Sequence, residues 1–169
     1  MYAERGDFEG AESIYRRADE LGHVDGAFNL GVLREHRSDL AGAEAAYRRA
    51  DQRGSALAAL NLAVLLSQRG DRPGAEAAFR RADERGDGAA ALSLGGLLAQ
   101  RGALDGAEAA YRRADERGHA AGAFNLGVLL EEHGDLVGAE SAYRRAEERG
   151  HGNVAKMART ALLELWGRR

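Results

Sequence analysis

A repeat of 32 residues runs along the chain and constrains its fold more than any other feature. The motif Gly-Ala-Glu-x-x-aromatic-Arg-Arg-Ala occurs five times, starting at Gly10, Gly42, Gly74, Gly106 and Gly138. A second motif, Gly-Ala-Phe-Asn-Leu-Gly-Val-Leu, occurs in one register at residues 26–33 and 122–129. A repeated unit of this size cannot bury its apolar face alone, so the repeats must stack on one another.

Each repeat predicts two amphipathic helices. In the segment that starts at Leu40, the apolar residues Leu40, Ala43, Tyr47 and Ala50 follow the spacing of one helix face, and we call this segment helix B. The segment before it in each repeat carries a second apolar stripe, and we call that segment helix A. The tight turns between the two predict an antiparallel hairpin.

The ends of helix B also have recognisable residues. Asp39 and its equivalents are expected to cap the N-terminus, and Gly54 is expected to end the helix in the left-handed conformation. The equivalents of Gly54 are Gly22, Gly86, Gly118 and Gly150. The histidines that follow such a glycine are expected to donate to the last carbonyl groups, and they are His23, His119 and His151. Glu44 precedes Arg48 by one helical turn, which predicts an ion pair on a solvated face.

This pattern predicts an all-α solenoid of stacked antiparallel hairpins with about ten helices. Residues 1–169 are expected to form a single repeat domain. Within it, residues 1–22 would be a partial first repeat with helix B only, residues 23–150 four full repeats, and residues 151–169 a capping helix. Glycines inside the helices, such as Gly31 and Gly106, are expected to let helix backbones approach closely.

Six positions of the repeat carry a family pattern. Counted from Val24, a small residue, Leu, Gly, Ala, an aromatic residue and Ala fall at Ala27, Leu30, Gly31, Ala43, Tyr47 and Ala50. This pattern resembles the tetratricopeptide repeat, although the usual period is about 34 residues and the usual proline of the turn is absent. The segment 114–127 resembles the junction between SEL-like repeats, so the chain looks like a hybrid of the two. The resemblance implies a right-handed α-solenoid that holds peptides or partner proteins without catalysis.

The same resemblance implies a binding groove on the concave face, which the A helices line in tetratricopeptide proteins. Carried over by position, the candidate binding residues are Phe28, Asn29, Val32, Leu60, Asn61, Val64, Leu92, Ser93, Phe124, Asn125, Val128 and Glu131. The asparagines would form a ladder of amides that binds an extended peptide backbone, or they hydrogen-bond the neighbouring helix instead. The apolar residues would form the floor of the groove, or they lie half-buried between adjacent helices.

The charges around this groove favour one class of partner. No basic residue occupies the groove positions, whereas acidic residues such as Glu35 and Glu131 lie at the rim. Tetratricopeptide domains that bind chaperones grip a C-terminal carboxylate with Lys or Arg, so the sequence predicts no such clamp here. A neutral or basic protein segment with apolar anchors is the predicted partner.

Composition and motifs argue against other classes of function. The formal charge is −3 and the Arg pairs of helix B have acidic neighbours, which disfavours nucleic-acid binding. The sequence has no Cys, no phosphate-binding or nucleophile motif and no His spacing typical of a metal site, so we predict no enzyme and no cofactor. No apolar run approaches the roughly 20 residues that span a membrane. We predict a cytoplasmic protein, and the strong preference for Arg over Lys indicates a bacterial source.

The two ends of the sequence leave alternatives open. Residues 2–7 match the end of a helix A, so the chain is either a fragment of a longer array or has an uncovered first helix with Phe8, Ile14 and Tyr15 exposed. An uncovered end favours self-assembly, and a homo-oligomeric structural module is therefore the alternative function. Trp166 in the last segment is part of the cap or an anchor for a partner.

Overall fold

The computed structural model describes residues 8–167, which form ten α-helices and no β-strand. The predicted all-α fold is therefore confirmed. In chain order the helices are α1 (Phe8–Glu20), α2 (Val24–His36), α3 (Leu40–Gln52), α4 (Ala56–Gln68), α5 (Arg72–Glu84), α6 (Gly88–Gln100), α7 (Leu104–Glu116), α8 (Ala120–Glu132), α9 (Leu136–Arg149) and α10 (Asn153–Gly167). The A helices are α2, α4, α6 and α8, and the B helices are α1, α3, α5, α7 and α9. The expected cap Asp7 and the residues before it lie outside the described range.

The chain divides into two compact units, Met1–Asp87 and Gly88–Arg169. The first unit contains α1 to α5, and the second contains α6 to α10. Within each unit, helices that follow one another in the chain pack together, most extensively inside each A–B hairpin, and α10 also contacts α8. The single domain over residues 1–169, with internal boundaries after residues 22 and 150, stays a prediction.

The core of each hairpin combines small alanines with one aromatic ring. In the second hairpin of the chain the ring is Phe79, and in the others it is a tyrosine such as Tyr47, which is fully buried. Alanines of α3, including Ala43 and Ala46, are also completely enclosed. Small side chains let the helices pack closely, and the ring supplies the large apolar area that a core of alanines lacks.

Each tyrosine ring lies against a glycine of the preceding helix A. The pairs are Gly31 with Tyr47, Gly95 with Tyr111 and Gly127 with Tyr143. A Cβ atom on any of these glycines would lie within 2.6 Å of a ring carbon, so a larger residue would displace the ring. Glycine at these positions makes room for a side chain and not, as expected, for a second backbone.

Glycines of helix B also have a different role from the expected one. The carboxylate of the cap aspartate occupies the space of a Cβ atom at Gly42, Gly74 and Gly138. At Gly106, a Cβ atom would meet only the side chain of Leu98, at 3.3 Å. Close approach between backbones occurs instead at Gly26, where a Cβ atom would lie 2.7 Å from the backbone nitrogen of Asp19.

Aspartate caps three of the described B helices, as the sequence predicts. The Asp39 carboxylate accepts a hydrogen bond from the backbone N–H of Gly42 at 2.9 Å, and the same bond recurs at Asp71 and Asp135. It satisfies one of the N–H groups that have no partner inside the helix. α7 begins after Ala103, which has no side-chain acceptor.

Most helices end at a residue in the left-handed conformation. The glycines from Gly22 to Gly134 that close helices have φ between 77° and 97°. At the end of α2 the same conformation is adopted by Ser38, with φ of 62°, although its Cβ makes this backbone less favourable than in glycine. The prediction is wrong at Gly150, which has φ of −78°. Because α9 is one residue longer than the other B helices, the positive φ moves to Gly152.

The histidines after these glycines do not cap the helices with their side chains. The backbone N–H groups of His23 and His119 donate to the carbonyl groups of Ala18 and Ala114, at 3.0 and 2.9 Å. Both histidines occupy the N-cap of the next helix, and neither imidazole makes a capping hydrogen bond there. At these two positions the predicted cap is therefore wrong, because the donor is the backbone N–H group and not the imidazole. His151 is exposed.

A buried aspartate joins the last turns of consecutive B helices. Asp51 in α3 is 4% exposed, and its carboxylate oxygens contact Arg81 in α5 and Arg85 directly after α5, each at 2.6 Å. Asp19 and Asp115 make the same contacts with α3 and α9. We call this arrangement the Asp–Arg clamp. The sequence shows only that the Arg pairs have acidic neighbours, whereas in the structure the aspartate is buried and its arginine partners lie 30 and 34 residues later in the chain.

The predicted pairs within helix B do form. Glu and Arg four residues apart have N–O distances of 2.6–2.9 Å in all five described B helices. Their arginines are more than half exposed, so each pair contributes only a few tenths of a kcal/mol, about 0.3–0.5.

Two opposing effects set the charge of Asp51. Burial raises the pKa of its carboxyl group, but hydrogen bonds from Arg81 and Arg85 outweigh burial and hold the pKa below its usual value. Because the folded-state pKa is lowered, the clamp stabilises the fold above the unfolded-state pKa of about 3.9. This contribution is lost as the pH falls through the lowered folded-state pKa.

We expect Asp51→Asn to lower the free energy of unfolding by about 1.5–3 kcal/mol at pH 7, because two arginines lose their charged partner. The difference from the wild type should shrink below about pH 4, where Asp51 of the unfolded wild type becomes protonated, and vanish below the lowered folded-state pKa. Urea denaturation across this pH range measures both effects. Glu84→Gln is the matched control, since Glu84 is exposed and the equivalent position already holds Gln52. A deficit that does not change with pH would contradict the role of the charge.

Candidate functional site

All the predicted binding residues lie on A helices, and most are half-buried. They are Phe28, Asn29 and Val32 on α2, Leu60, Asn61 and Val64 on α4, Leu92 and Ser93 on α6, and Phe124, Asn125, Val128 and Glu131 on α8. Val64 has an exposed side chain, at 39%. The other apolar residues of this set are half-buried, as the alternative interpretation of the sequence expects. Their part in binding stays a prediction.

Two of the three predicted asparagines, Asn61 and Asn125, hydrogen-bond tyrosines of the preceding helix B. The Asn61 amide donates to the Tyr47 hydroxyl at 3.3 Å, which joins α4 to α3. Asn125 hydrogen-bonds Tyr111 in the same way across α8 and α7. Burial raises the pKa of Tyr111, and this hydrogen bond acts in the opposite direction. Ser93 instead donates to the Ala89 carbonyl of its own helix, at 2.9 Å. One N–H group of each amide is thus committed to the neighbouring helix.

The tyrosine hydroxyls also fix acidic side chains at the end of helix A. Tyr47 donates to Glu35 at 2.6 Å, and Tyr143 donates to Glu131 at 2.9 Å. Burial, followed by the hydrogen bond to Glu35, raises the pKa of Tyr47, so its hydroxyl stays protonated and remains a donor. Glu131 is therefore held in place by α9 and is not a freely moving rim residue.

The second unit contains a groove of about 680 Å³ between α8, α9 and α10. We call it the α8–α10 groove. It is lined by Phe124, Val128, Glu131, Glu132, Tyr143, Lys156, Met157, Thr160, Ala161 and Glu164. Three of these are predicted binding residues, and the Phe124 ring packs against the Tyr143 ring with centroids 5.6 Å apart. The groove is thus built on the rigid aromatic pair of the last hairpin.

The helices that form the walls of this groove run in the same direction. Glu131 near the end of α8 bonds Tyr143 in α9, across the turn between them. Glu147 near the end of α9 likewise bonds Arg159 in α10, at 2.7 Å. Both hairpins are therefore antiparallel, and α8 and α10 are parallel to each other.

Parallel walls give the groove two chemically different ends. The early residues of both helices form one end, which contains Phe124, Lys156 and Met157. The late residues form the other end, which contains Glu131, Glu132 and Glu164. Along α8, Glu131 follows Phe124 by seven positions, which corresponds to roughly 10 Å. The groove therefore changes from apolar with one cation to acidic over this distance.

Sequence reasoning missed the residues that α10 contributes. Lys156, Met157, Thr160 and Glu164 follow Phe124, Asn125, Val128 and Glu132 by one repeat period. Extending the groove register into the last segment would have found them. Its residue types depart from the consensus and predict a cap, although its helix packs on α9 and lines the groove with α8. Lys156, the only lysine of the sequence, thus brings one basic side chain to a groove expected to have none.

Apolar side chains are also exposed near both ends of the described range. Phe8 and Ile14 of α1 are 42% and 48% exposed. Trp166 of α10 is 45% exposed, and the Arg144 guanidinium lies 5.8 Å from its ring centroid. Trp166 does not line the α8–α10 groove.

Residues 8–167 contain neither a cluster of metal ligands nor a membrane-spanning helix. No group of three or more His, Asp or Glu side chains there is placed to hold a metal ion. None of the helices in this range is long and apolar enough to cross a membrane.

Comparison with known proteins identifies the repeat. The family profile described as tetratricopeptide repeat matches residues 1–58, 60–121 and 115–154. Similar solved structures include MamA, at 21% identity over 88% of this chain and 91% of that one, with a TM-score of 0.66. A Sel1 repeat protein from Oxalobacter formigenes is 23% identical over 91% of this chain and 71% of that one, with a TM-score of 0.73.

A third similar structure is YrrB, a TPR protein with an unusual peptide-binding site. It is 21% identical over 95% of this chain and 86% of that one, with a TM-score of 0.63. At these identities the likeness of all three structures shows the fold alone. A comparison with curated proteins found no match.

A double-mutant cycle measures how far the amide of Asn61 is structural. We expect Asn61→Ser to lower the free energy of unfolding by about 1 kcal/mol, because the Tyr47 hydroxyl loses a donor. In a Tyr47→Phe background the same change should cost little, since that bond is already absent. Urea denaturation of the four proteins gives the coupling energy. Equal costs in both backgrounds would mean that Asn61 does not act through Tyr47.

Proposed function

Since this chain belongs to the tetratricopeptide repeat family, we propose that it is a non-enzymatic scaffold that binds a peptide or partner protein. Repeats of this family generally mediate interactions between proteins. The proposed binding surface is the face formed by the A helices, and its best-formed part is the α8–α10 groove. Ligand pockets combine apolar side chains with polar groups that fix orientation, and this groove contains both kinds.

The observation that carries the proposal is the combination of a rigid floor and an open volume in the α8–α10 groove. Phe124 packs on the buried Tyr143, while Met157 is 51% exposed at the same end. A groove of about 680 Å³ lies within the range of known ligand pockets, about 300–1,000 Å³. An apolar side chain of a partner would be buried there without rearrangement of the core.

The proposal includes the class of partner and the compartment. We expect no nucleic-acid partner, because the second arginines of three pairs, Arg49, Arg81 and Arg145, are held by buried aspartates. A cytoplasmic location is compatible with a sequence that contains no cysteine.

A displayed library of random nonapeptides, selected on the full chain, tests the proposed function. We expect selected peptides to bind Met157→Glu about tenfold more weakly than the wild type, because a charge replaces an apolar contact in the groove. Leu163→Glu is the matched control, since Leu163 is on the same helix, is 60% exposed and does not line the groove. Fluorescence polarisation gives the dissociation constants, and circular dichroism checks the fold. Peptides that bind both variants equally would contradict binding in the groove.

A second candidate function is self-assembly through α1. The exposed Phe8 and Ile14 favour it, because exposed apolar side chains are a common contact between protein copies. A helix of this type would associate with a second copy by burying these two side chains.

Light scattering behind size exclusion tests this second function over a range of concentrations. Self-assembly requires a mass above 18.1 kDa that returns to 18.1 kDa in Phe8→Ser/Ile14→Ser. Leu136→Ser/Val137→Ser is the control, because it removes two exposed apolar side chains from α9. A mass of 18.1 kDa at every concentration would exclude self-assembly as the function.

A further inference from the structure

We propose that the α8–α10 groove selects an extended protein segment in which a Lys or Arg side chain lies two or four residues from an apolar side chain. This inference rests on the proposed scaffold function and adds the chemistry of the partner. The apolar side chain occupies the end of the groove at Phe124 and Met157. The basic side chain occupies the end at Glu132 and Glu164.

The charges of the groove favour a basic side chain at one end. Three carboxylates, on Glu131, Glu132 and Glu164, lie at one end, and a single ammonium group, on Lys156, lies at the other. The groove is therefore net negative, and its negative charge is concentrated at one end. A basic side chain next to three carboxylates gains charge-assisted hydrogen bonds, whereas an acidic side chain there meets like charges.

The position of Lys156 sets the direction in which the segment binds. Lys156 shares the end that contains Phe124, so a basic residue placed there would be repelled by the ammonium group. The apolar side chain and the basic side chain of the partner are thereby assigned to opposite ends. Tyr143, Val128 and Ala161 lie between the ends and leave a mostly apolar path for the connecting residues.

The length of the groove sets the spacing within the segment. The two ends are separated by roughly 10 Å along α8. In an extended segment the side chains on one side recur every second residue, at about 6.6 Å, so partners two or four residues apart reach both ends. A long Lys or Arg side chain covers the remaining difference.

The library of nonapeptides described above tests the inference when its selected sequences are read. We expect most groove-binding peptides to contain Lys or Arg two or four residues from Leu, Ile, Met or Phe. We also expect Glu132→Gln/Glu164→Gln to bind these peptides roughly five- to tenfold more weakly, and replacement of the basic residue by Glu to weaken binding to the wild type at least as much. The control, Glu84→Gln/Glu148→Gln, removes the same charge from exposed sites outside the groove.

The outcomes separate this inference from the scaffold function. Peptides that lose affinity in Met157→Glu but show no basic residue and no response to Glu132→Gln/Glu164→Gln would overturn the charge preference and leave groove binding intact. Selected peptides that bind Met157→Glu as well as the wild type would overturn both. Equal weakening by Glu84→Gln/Glu148→Gln would show a non-specific effect of net charge and would also overturn the inference.

Discussion

The contact between a helix-A glycine and a helix-B tyrosine ring organises each hairpin in which it occurs. Because Gly31 has no side chain, the Tyr47 ring lies directly on α2, and its hydroxyl emerges at the edge of the hairpin. There it binds Glu35 of the same hairpin and Asn61 of the next one. One packing contact thus fixes the distance between two helices, the position of an acidic side chain and the attachment of the next repeat. The repeat that has Phe79 in place of tyrosine also has Ser67 and Ser93 at the registers of these two partners.

The two arginines of a pair in helix B make ion pairs with different partners. The first arginine of each pair lies on the surface beside a glutamate one turn away and contributes little to stability. The second, such as Arg81, reaches back to a buried aspartate of the preceding helix B and joins two repeats. Removal of one partner from such a buried pair costs far more than a surface pair gives. The chain can therefore be rich in arginine without presenting a continuous basic surface.

The last helix, α10, packs on the preceding helix B as a helix A does, but its residues differ from the consensus. α10 keeps the register of a helix A, so it packs on α9 and extends the surface formed by α8. Its residues differ from the consensus, with Lys156 in place of Phe124 and Met157 in place of Asn125. Met157 has no amide group to donate to the Tyr143 hydroxyl, unlike the asparagine one period earlier, and the groove lies beside this hydroxyl and its bond to Glu131. The residues that distinguish this groove, such as Lys156 and Met157, lie in α10, where the sequence departs from the consensus repeat.

The sequence by itself determined the repeat, the ten described helices, their aspartate caps and the ion pairs within helix B, since all of these depend on residues within one helical turn or one period. The Asp–Arg clamp, the tyrosine bonds to Asn61 and the groove beside α10 depend on which side chains of different helices meet, and periodicity alone does not give these contacts. The burial of particular side chains decides these contacts. Asp51 is charged inside the fold only because Arg81 of α5 and Arg85 at the end of that helix reach it, and Asn61 is committed to Tyr47 only because the ring is buried against Gly31.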